Sequence, residues 1–438
     1  MPAIAAALLV FSSVQADPRL AGSLRKDVAG WMYVRLAGRP REIGYQYGTL
    51  LAAEIDDAHQ ALRSEVKGPN GEGWEWYRTA AKNLFWGKVD PEYQQEIEGQ
   101  AEALQAKGFK YDAWDVLAYN AHIELEGYYI PYLQAKERGT AMVSGAKESC
   151  SAFIATGSAT KDGKIVLGHN LWWGYVMGQR ANAMLDIRPQ KGERMMFDAF
   201  TGMMHSGTDF AVNSAGIVLC ETTIGGFAGF DPAGTPEFVR MRRAIQYGRS
   251  VEEVAAIFKK GNNGGYANTW LMGDTKTGEI GKLELGLKNV IFHTSTDGYY
   301  VGSNFPEDAK LIREEVPGGW VADPKRNGNE RRRARWCSLL DKAKGQVDAE
   351  AGKAYLADTY DEVTGRRGAS GATLMGKTEG NGATNTKVIT SDMAKNFRVW
   401  ARMGFSDGSE MKFSRRPNPF LRDIPSQPWV LIDPTAMR

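Results

Sequence analysis

The sequence predicts an α+β fold in which layers of sheet are covered by helices, preceded by a helical N-terminal segment. Three observations carry this. Up to residue 149 the apolar spacing is mostly helical. From residue 151 the chain turns to short apolar runs of β character separated by turn residues. Two capped helices then interrupt these runs, and strands, a helical pair and strands again make covered sheets.

In the N-terminal part, Ile43, Tyr47, Leu50, Leu51, Ile55 and Leu62 share one helical face, with Glu54, Asp56, Asp57 and Arg63 largely off it. A second helix, 91–107, opens with Pro91 in its first turn and spaces Tyr93, Ile97, Ala101 and Leu104 in the same way. A third, 112–132, is rich in Trp, Tyr and Leu and reads as buried on much of its surface. Val34-Arg35-Leu36 is a strand candidate.

The expected strands after residue 150 begin with 151–156 and 164–168, joined by a turn containing Asp162-Gly163, a hairpin signal. Others are 183–187, 195–200, 217–224, 270–272, 282–285, 289–293 and 299–301. The helix over 235–247 has Pro236 and Glu237 at its positive end; that over 250–260 has a Ser250 cap with Glu253 three residues on. Residues 327–357 return to helix, and 387–389 and 398–401 to strand. The glycine-rich stretch 365–382 reads as a long mobile loop.

Composition narrows function by exclusion. The 438 residues hold 54 basic and 52 acidic side chains, a net charge of +2. A nucleic-acid binder carries a large basic excess, so no nucleic-acid partner is expected. Cys150, Cys220 and Cys337 are too few for a disulfide scaffold. Ile4 to Phe11 is a short apolar run followed by Val14-Gln15-Ala16, the pattern of a signal peptide over 1–16, although no Lys or Arg precedes it. No integral membrane segment is expected, and the chain reads as secreted or periplasmic.

Most catalytic signatures fail. Gly404-Phe405-Ser406-Asp407-Gly408 has the nucleophile-elbow spacing, but no helix-like stretch follows it and the last histidine is His293. Ser-x-x-Lys recurs and Lys276-Thr277-Gly278 is present, yet no Ser-Asp-Asn accompanies them. The five histidines form no His-Glu-x-x-His, so no metal or other cofactor is expected. His122, Glu124 and Glu126 read as surface polarity. What remains is Cys150, a thiol at the seam between helical sequence and the first strand, which is a nucleophile if a base lies beside it and a structural cysteine otherwise.

Around Cys150 an ordered set of motifs is recognisable. It begins with Gly44-Tyr45-Gln46-Tyr47-Gly48, Cys150-Ser151-Ala152 and Gly168-His169-Asn170-Leu171-Trp172. Ser206-Gly207-Thr208-Asp209-Phe210, Glu221-Thr222-Thr223-Ile224-Gly225 and Asn262 to Trp270 follow. Ser303-Asn304-Phe305-Pro306, the arginine run from Arg331 and Lys387-Val388 complete it. Taken together, these resemble the cysteine N-terminal-nucleophile hydrolases, in particular the penicillin acyltransferase-like and phospholipase B-like group.

The resemblance implies a four-layer αββα sandwich over 150–438, with 17–149 as a helical N-terminal fragment. It also implies self-cleavage between Ser149 and Cys150, which gives Cys150 a free amine. An α-amino group with a pKa of about 7.7–8.0 serves as base for its own thiol near neutral pH. By the same resemblance Asn304 is the oxyanion-stabilising asparagine, Arg331 or Arg332 is the site arginine, and His169 and Thr223 are polar site positions. The residue reading leaves Arg331, Arg332, Arg333 and Arg335 equally open as a solvated helix face. Trp172 stands where the bile-salt and penicillin acylase relatives carry Asp, which sides the chain with the phospholipase B-like branch.

The expected activity is hydrolysis or transfer at linear amide bonds through a Cys150 thioester, with a small-molecule amide or acyl substrate. The alternatives are an ester hydrolase acting on phospholipid or lysophospholipid, and a catalytically silent binding protein of the same fold.

Overall fold

Strand β3 (Ser151–Thr156) shows how the layers form: Ala152 and Ile154 join one buried cluster, while Phe153 and Ala155 join another on the opposite face. A strand buried on both faces is a continuous apolar run, as this one is. The computed structural model describes residues 17–145, 150–414 and 418–437. The expected signal peptide and Ser149 lie outside the described residues.

The N-terminal part contributes β1 (Leu24–Val28), β2 (Trp31–Gly38), α1 (Pro40–Leu50), α2 (Ala52–Glu65), α3 (Trp74–Phe85), α4 (Pro91–Ala106), α5 (Ala113–Glu124) and α6 (Ile130–Arg138). After β3 come β4 (Val166–Gly174), α7 (Tyr175–Gly178), β5 (Ala183–Pro189), β6 (Met195–Ala199), β7 (Phe210–Asn213), β8 (Ile217–Thr223), α8 (Glu237–Tyr247) and α9 (Val251–Lys259). Then follow β9 (Asn268–Asp274), β10 (Glu279–Leu285), β11 (Val290–Ser295), β12 (Gly298–Gly302), α10 (Ala309–Glu315), α11 (Gly328–Lys342) and α12 (Ala349–Leu356). The chain closes with β13 (Tyr360–Asp361), β14 (Arg366–Arg367), β15 (Asn381–Thr390), α13 (Ser391–Ala394), β16 (Val399–Met403) and β17 (Val430–Ile432).

Two sheets stack face to face. One has the order β1-β2-β5-β6-β7-β8-β9-β10-β11, the other β12-β3-β4-β15-β16-β17. Between them lie Trp31, Tyr33, Met184, Met196 and Phe210 of the first sheet against Ile154, Leu167, Ile389 and Val399 of the second. The outer face of the first sheet packs against α1–α5, α8 and α9; that of the second packs against α11 and α12 through Trp336, Leu340 and Leu356. This is the αββα order that the resemblance implies.

The N-terminal segment is not wholly helical. β1 and β2 form a hairpin through Ala29 and Gly30, both with positive φ as a two-residue hairpin turn requires, and β2 runs parallel to β5. Residues on both sides of 149 therefore share one sheet. β1 escapes a sequence reading because it is an edge strand in which Arg25, Lys26 and Asp27 break the apolar alternation. The 43–62 face is split at Leu51, which leaves helical geometry (φ −124°, ψ 27°) between α1 and α2. The third helix is interrupted by a π turn at Leu125–Tyr129, just before Pro131, whose missing N–H favours such a widening. β7 and α10 were not expected; each is short, with four and seven residues.

Two further expectations are corrected. The 365–382 stretch is packed: Leu374 and Met375 are buried, and the Trp172 ring lies so close over Gly376 that a Cβ there would collide with it. His122 and Glu124 are buried rather than surface residues. Glu124 accepts from the Glu237 N–H (2.6 Å) and from Asn263 Nδ2 (2.7 Å), tying α5 to the start of α8. Burial pushes its carboxyl up to about 7.

The N-terminal helices are held to the rest of the chain by a buried ion pair and to one another by a close crossing. Arg242 of α8 grips Glu96 of α4 through both guanidinium nitrogens (3.0 and 2.9 Å), with both side chains under 5% exposed. α1 and α4 cross at Gly44, Gly48 and Gly99, where a Cβ on Gly44 would be driven into the Glu96 carbonyl. Glu96→Ala, which strands a buried guanidinium, is expected to lower unfolding free energy by about 3–5 kcal/mol in a urea titration. Arg41→Ala, removing a half-exposed partner of Glu98 and Glu102, should cost under about 1 kcal/mol in the same experiment. Gly44→Ala should cost about 1–3 kcal/mol, read from the same curves, because two backbones must separate.

Candidate active site

Cys150 sits immediately before β3, fully buried. Its backbone N–H donates to Asn304 Oδ1 at 2.7 Å. Its carbonyl accepts from Arg332 Nη1, which also reaches Ser151 Oγ at 3.2 Å. The Trp172 backbone N–H faces the thiol from β4. Burial, and then the negative charge of Asp209, push the thiol well up, outweighing the pull of Trp172 N–H, Lys387 and Arg332. In the uncut chain the thiol is therefore protonated and a poor nucleophile.

Arg332 is the arginine that enters the site. It projects from α11, fully buried, with its guanidinium carbon 4.6 Å from the centre of the Trp172 ring. Nη2 donates to Asn304 Oδ1 (3.1 Å) and Asn329 Oδ1 (2.8 Å). Burial lowers its pKa to about 9, which leaves it charged at neutral pH. Arg331 is a correction: one helix position along, it turns away to the Pro324 and Lys325 carbonyls and Asp361. Arg333 pairs with Glu307, and Arg335 with Asp358 and Glu362.

Asn304 lies beside Cys150, with its amide turned so that the oxygen and not the N–H group meets that residue. Its Oδ1 takes the Cys150 N–H, and its Nδ2 donates to the Thr223 carbonyl at 2.9 Å. It offers Cys150 an acceptor; the donor facing the thiol is the Trp172 N–H. Thr223 supplies that carbonyl, and its hydroxyl is buried with no partner among the described residues.

His169 is on β4, fully buried, in register between Ala152 of β3 and Lys387 of β15. Cys150 Sγ, a His169 ring nitrogen and an Asp209 carboxylate oxygen all lie within 4.8 Å of one another. Neither imidazole nitrogen has a well-formed hydrogen bond among the described residues, although the Glu221 carbonyl lies beside the ring. Burial holds His169 well below its usual pKa, hence neutral.

Asp209, Glu221 and Tyr266 complete the cluster and were given no role by the sequence reading, although all three lie within quoted motifs. The Tyr266 hydroxyl donates to Asp209 Oδ2 at 2.8 Å. Glu221 and Asp209 are joined through the Glu221 N–H to Asp209 carbonyl bond (3.2 Å) and through their carboxyls. Burial raises both carboxyls, Asp209 to about 6 and Glu221, beside the Asp209 charge, well above its usual value. Lys387 faces the same space, bonded to Asp198 at 2.9 Å with both side chains fully buried. With Lys387 and Arg332 both acting on the thiol, the cluster disfavours a metal cation and suits proton handling. Asp209, Tyr266 and Asn304 are three of the five described non-glycine residues with positive φ, so backbone strain concentrates here.

The family model for phospholipase B matches residues 57–326. An uncharacterized protein of Archaeoglobus fulgidus is 24% identical over 69% of this chain and 50% of its own. Putative phospholipase B-like 2 of Caenorhabditis elegans is 26% identical over 45% of this chain and 35% of its own. Phospholipase-B 81 of Drysdalia coronoides is 25% identical over 53% and 48%. The chain spans half or less of the length of these relatives. Among solved structures, a mutant of conjugated bile acid hydrolase from Clostridium perfringens is 11% identical over 65% of this chain and 93% of that chain, with a TM-score of 0.36. By the extent of the family match, the chain belongs to the phospholipase B family.

Proposed function

We propose that the protein is an exported hydrolase that cleaves itself between Ser149 and Cys150 and then cleaves linear amide bonds through a thioester on Cys150. The observation that carries this is the set of groups converging on one buried thiol: Asn304 on its nitrogen, Arg332 on its carbonyl, and His169 and Asp209 beside its sulfur.

Each group has a chemical use once the peptide bond is cut. The Cys150 nitrogen becomes an amine that Asn304 Oδ1 is placed to hold, and this amine takes the thiol proton. The sulfur attacks the substrate carbonyl, the protonated Cys150 amine passes its proton to the leaving amine as the carbon–nitrogen bond breaks, and water hydrolyses the thioester. The Trp172 N–H is the backbone donor on the thiol side for the oxyanion that forms. Arg332 keeps the Cys150 carbonyl and Asn304 in register with each other.

A cavity of about 420 Å³ supports a second reading, an ester hydrolase acting on phospholipid or lysophospholipid. Leu62, Val66, Ile123, Trp173 and Met177 give it one apolar wall, Glu65, His122, Glu126 and Asn381 a polar one, and it is also lined by Gly145, on the chain leading to Cys150. The apolar wall suits an acyl chain, and two curated relatives are named as phospholipases or phospholipase-like.

Intact mass and N-terminal sequencing of the purified chain test the first step. Wild type is expected as two fragments, the larger beginning at Cys150, and Cys150→Ala as one uncut chain that forms no adduct with an electrophilic acyl probe. An uncut wild type, or cleavage at that bond in Cys150→Ala, would sink the proposal. If the chain is a silent binding protein, the probe labels neither. On the mature enzyme, matched amide and ester substrates separate the two readings. Arg332→Lys, which keeps the charge and loses the fork, should lower turnover about 10²-fold, whereas Arg331→Lys should change it by less than about twofold.

A further inference from the structure

A thiol that must cut its own chain has no free amine to help it. The base for that first step must already be present in the uncut protein, within reach of Cys150 Sγ. Two described groups meet this: a ring nitrogen of His169 and a carboxylate oxygen of Asp209, all three atoms lying within 4.8 Å of one another.

We propose that His169, backed by the charge of Asp209, is the base of self-cleavage, so that maturation and turnover use different bases on the same sulfur. This rests on the processing reading above. Four observations support it. Among the described residues neither nitrogen of this fully buried imidazole has a well-formed hydrogen bond, which is uncommon for buried polar atoms and leaves one to accept a proton. The Glu221 carbonyl lies beside the ring, where it can hold the N–H of one nitrogen and leave the other as acceptor. The Tyr266 hydroxyl donates to Asp209 Oδ2, which favours the charged carboxylate where an imidazolium would form. Asp209 and Tyr266 are both held at positive φ, the backbone geometry that aims them at this point.

The remaining charges are accounted for. Lys387 faces the ring from β15 and is paired with Asp198. Arg332 lies on the Cys150 carbonyl side, and the buried Cys220 thiol is protonated.

The step balances. The Cys150 S–H proton passes to His169 as the sulfur bonds to the Ser149 carbonyl carbon. The carbon–nitrogen bond to Cys150 then breaks, and the nitrogen takes the proton from the imidazolium to become an amine. Water hydrolyses the resulting thioester, releasing the Ser149 carboxyl and restoring the thiol. From then on the amine occupies the Asn304 oxygen and serves as base.

The test follows self-cleavage of the full chain, made by cell-free translation, by mass spectrometry between pH 6 and 9. The wild-type rate is expected to be nearly level over this range, because the imidazole is already neutral. His169→Gln should cleave at least about 100-fold more slowly at pH 7 and speed up about tenfold per pH unit, since hydroxide must then ionise the thiol. Asp209→Asn should be about 10- to 100-fold slower with the level profile kept. A wild-type rate that itself climbs tenfold per unit would overturn the assignment whatever the variants do. So would His169→Gln cleaving within about threefold of wild type, or more slowly on a level profile. If His169→Gln does not fold, an Asp209→Asn chain with the wild-type rate overturns it instead. A wild-type chain that never cleaves defeats the processing reading itself, and this one with it.

Discussion

A single buried guanidinium holds the site together. Arg332 reaches the Cys150 carbonyl, Ser151 Oγ, Asn304 Oδ1 and Asn329 Oδ1, and lies against the Trp172 ring. It thus joins α11, the start of β3, the turn after β12 and β4. A buried charge is tolerated where its donors are met, and here both Nη groups find acceptors in the backbone and side chains around Cys150, while Nε has no partner among the described residues. Trp172 in turn requires Gly376 beneath it, which explains why a glycine-rich stretch is packed. Asn329 also donates to the Asn304 carbonyl at 2.9 Å, helping to hold a residue whose φ is +62°. Such strain persists only where the surroundings over-determine the conformation.

On the other side of the thiol the space between the sheets is polar: Asp198 with Lys387, Asp209 with Glu221 and Tyr266, and the unpaired imidazole of His169. The arrangement places a neutral imidazole and a buried carboxyl beside a protonated thiol. The N-terminal segment is part of the same body. It supplies two strands to the first sheet, and its α4, joined to α1 at the glycine crossing, is locked on through Glu96–Arg242. A cut at residue 149 would leave these contacts in place, since none of them depends on the peptide bond to Cys150.

How much of this was legible in the sequence depended on range. Most strands between 151 and 302 could be read because each is a short apolar run between turn residues. β1 could not, because its charged residues mask an edge strand whose existence depends on β2. The break at Leu51 and the π turn before Pro131 interrupt helices without interrupting apolar periodicity, so a face-by-face reading passes over them. His122 and Glu124 read as surface because helix-like polar residues usually are, and only packing against α8 and Asn263 shows them buried.

The sequence by itself determined the layered fold class and the order of the motifs, and through their resemblance singled out Cys150 as the candidate nucleophile, because residue type and local spacing are written in the chain. The tertiary structure decided which arginine enters the site: Arg331 and Arg332 are chemically identical, and one helix step of about 100° separates a guanidinium on Cys150 from one on Asp361. It also decided that Asn304 presents its oxygen to Cys150, and that Asp209, Glu221 and Tyr266, far apart in the chain, meet beside His169. Such convergence comes from the register of strands in two stacked sheets, which no local pattern encodes.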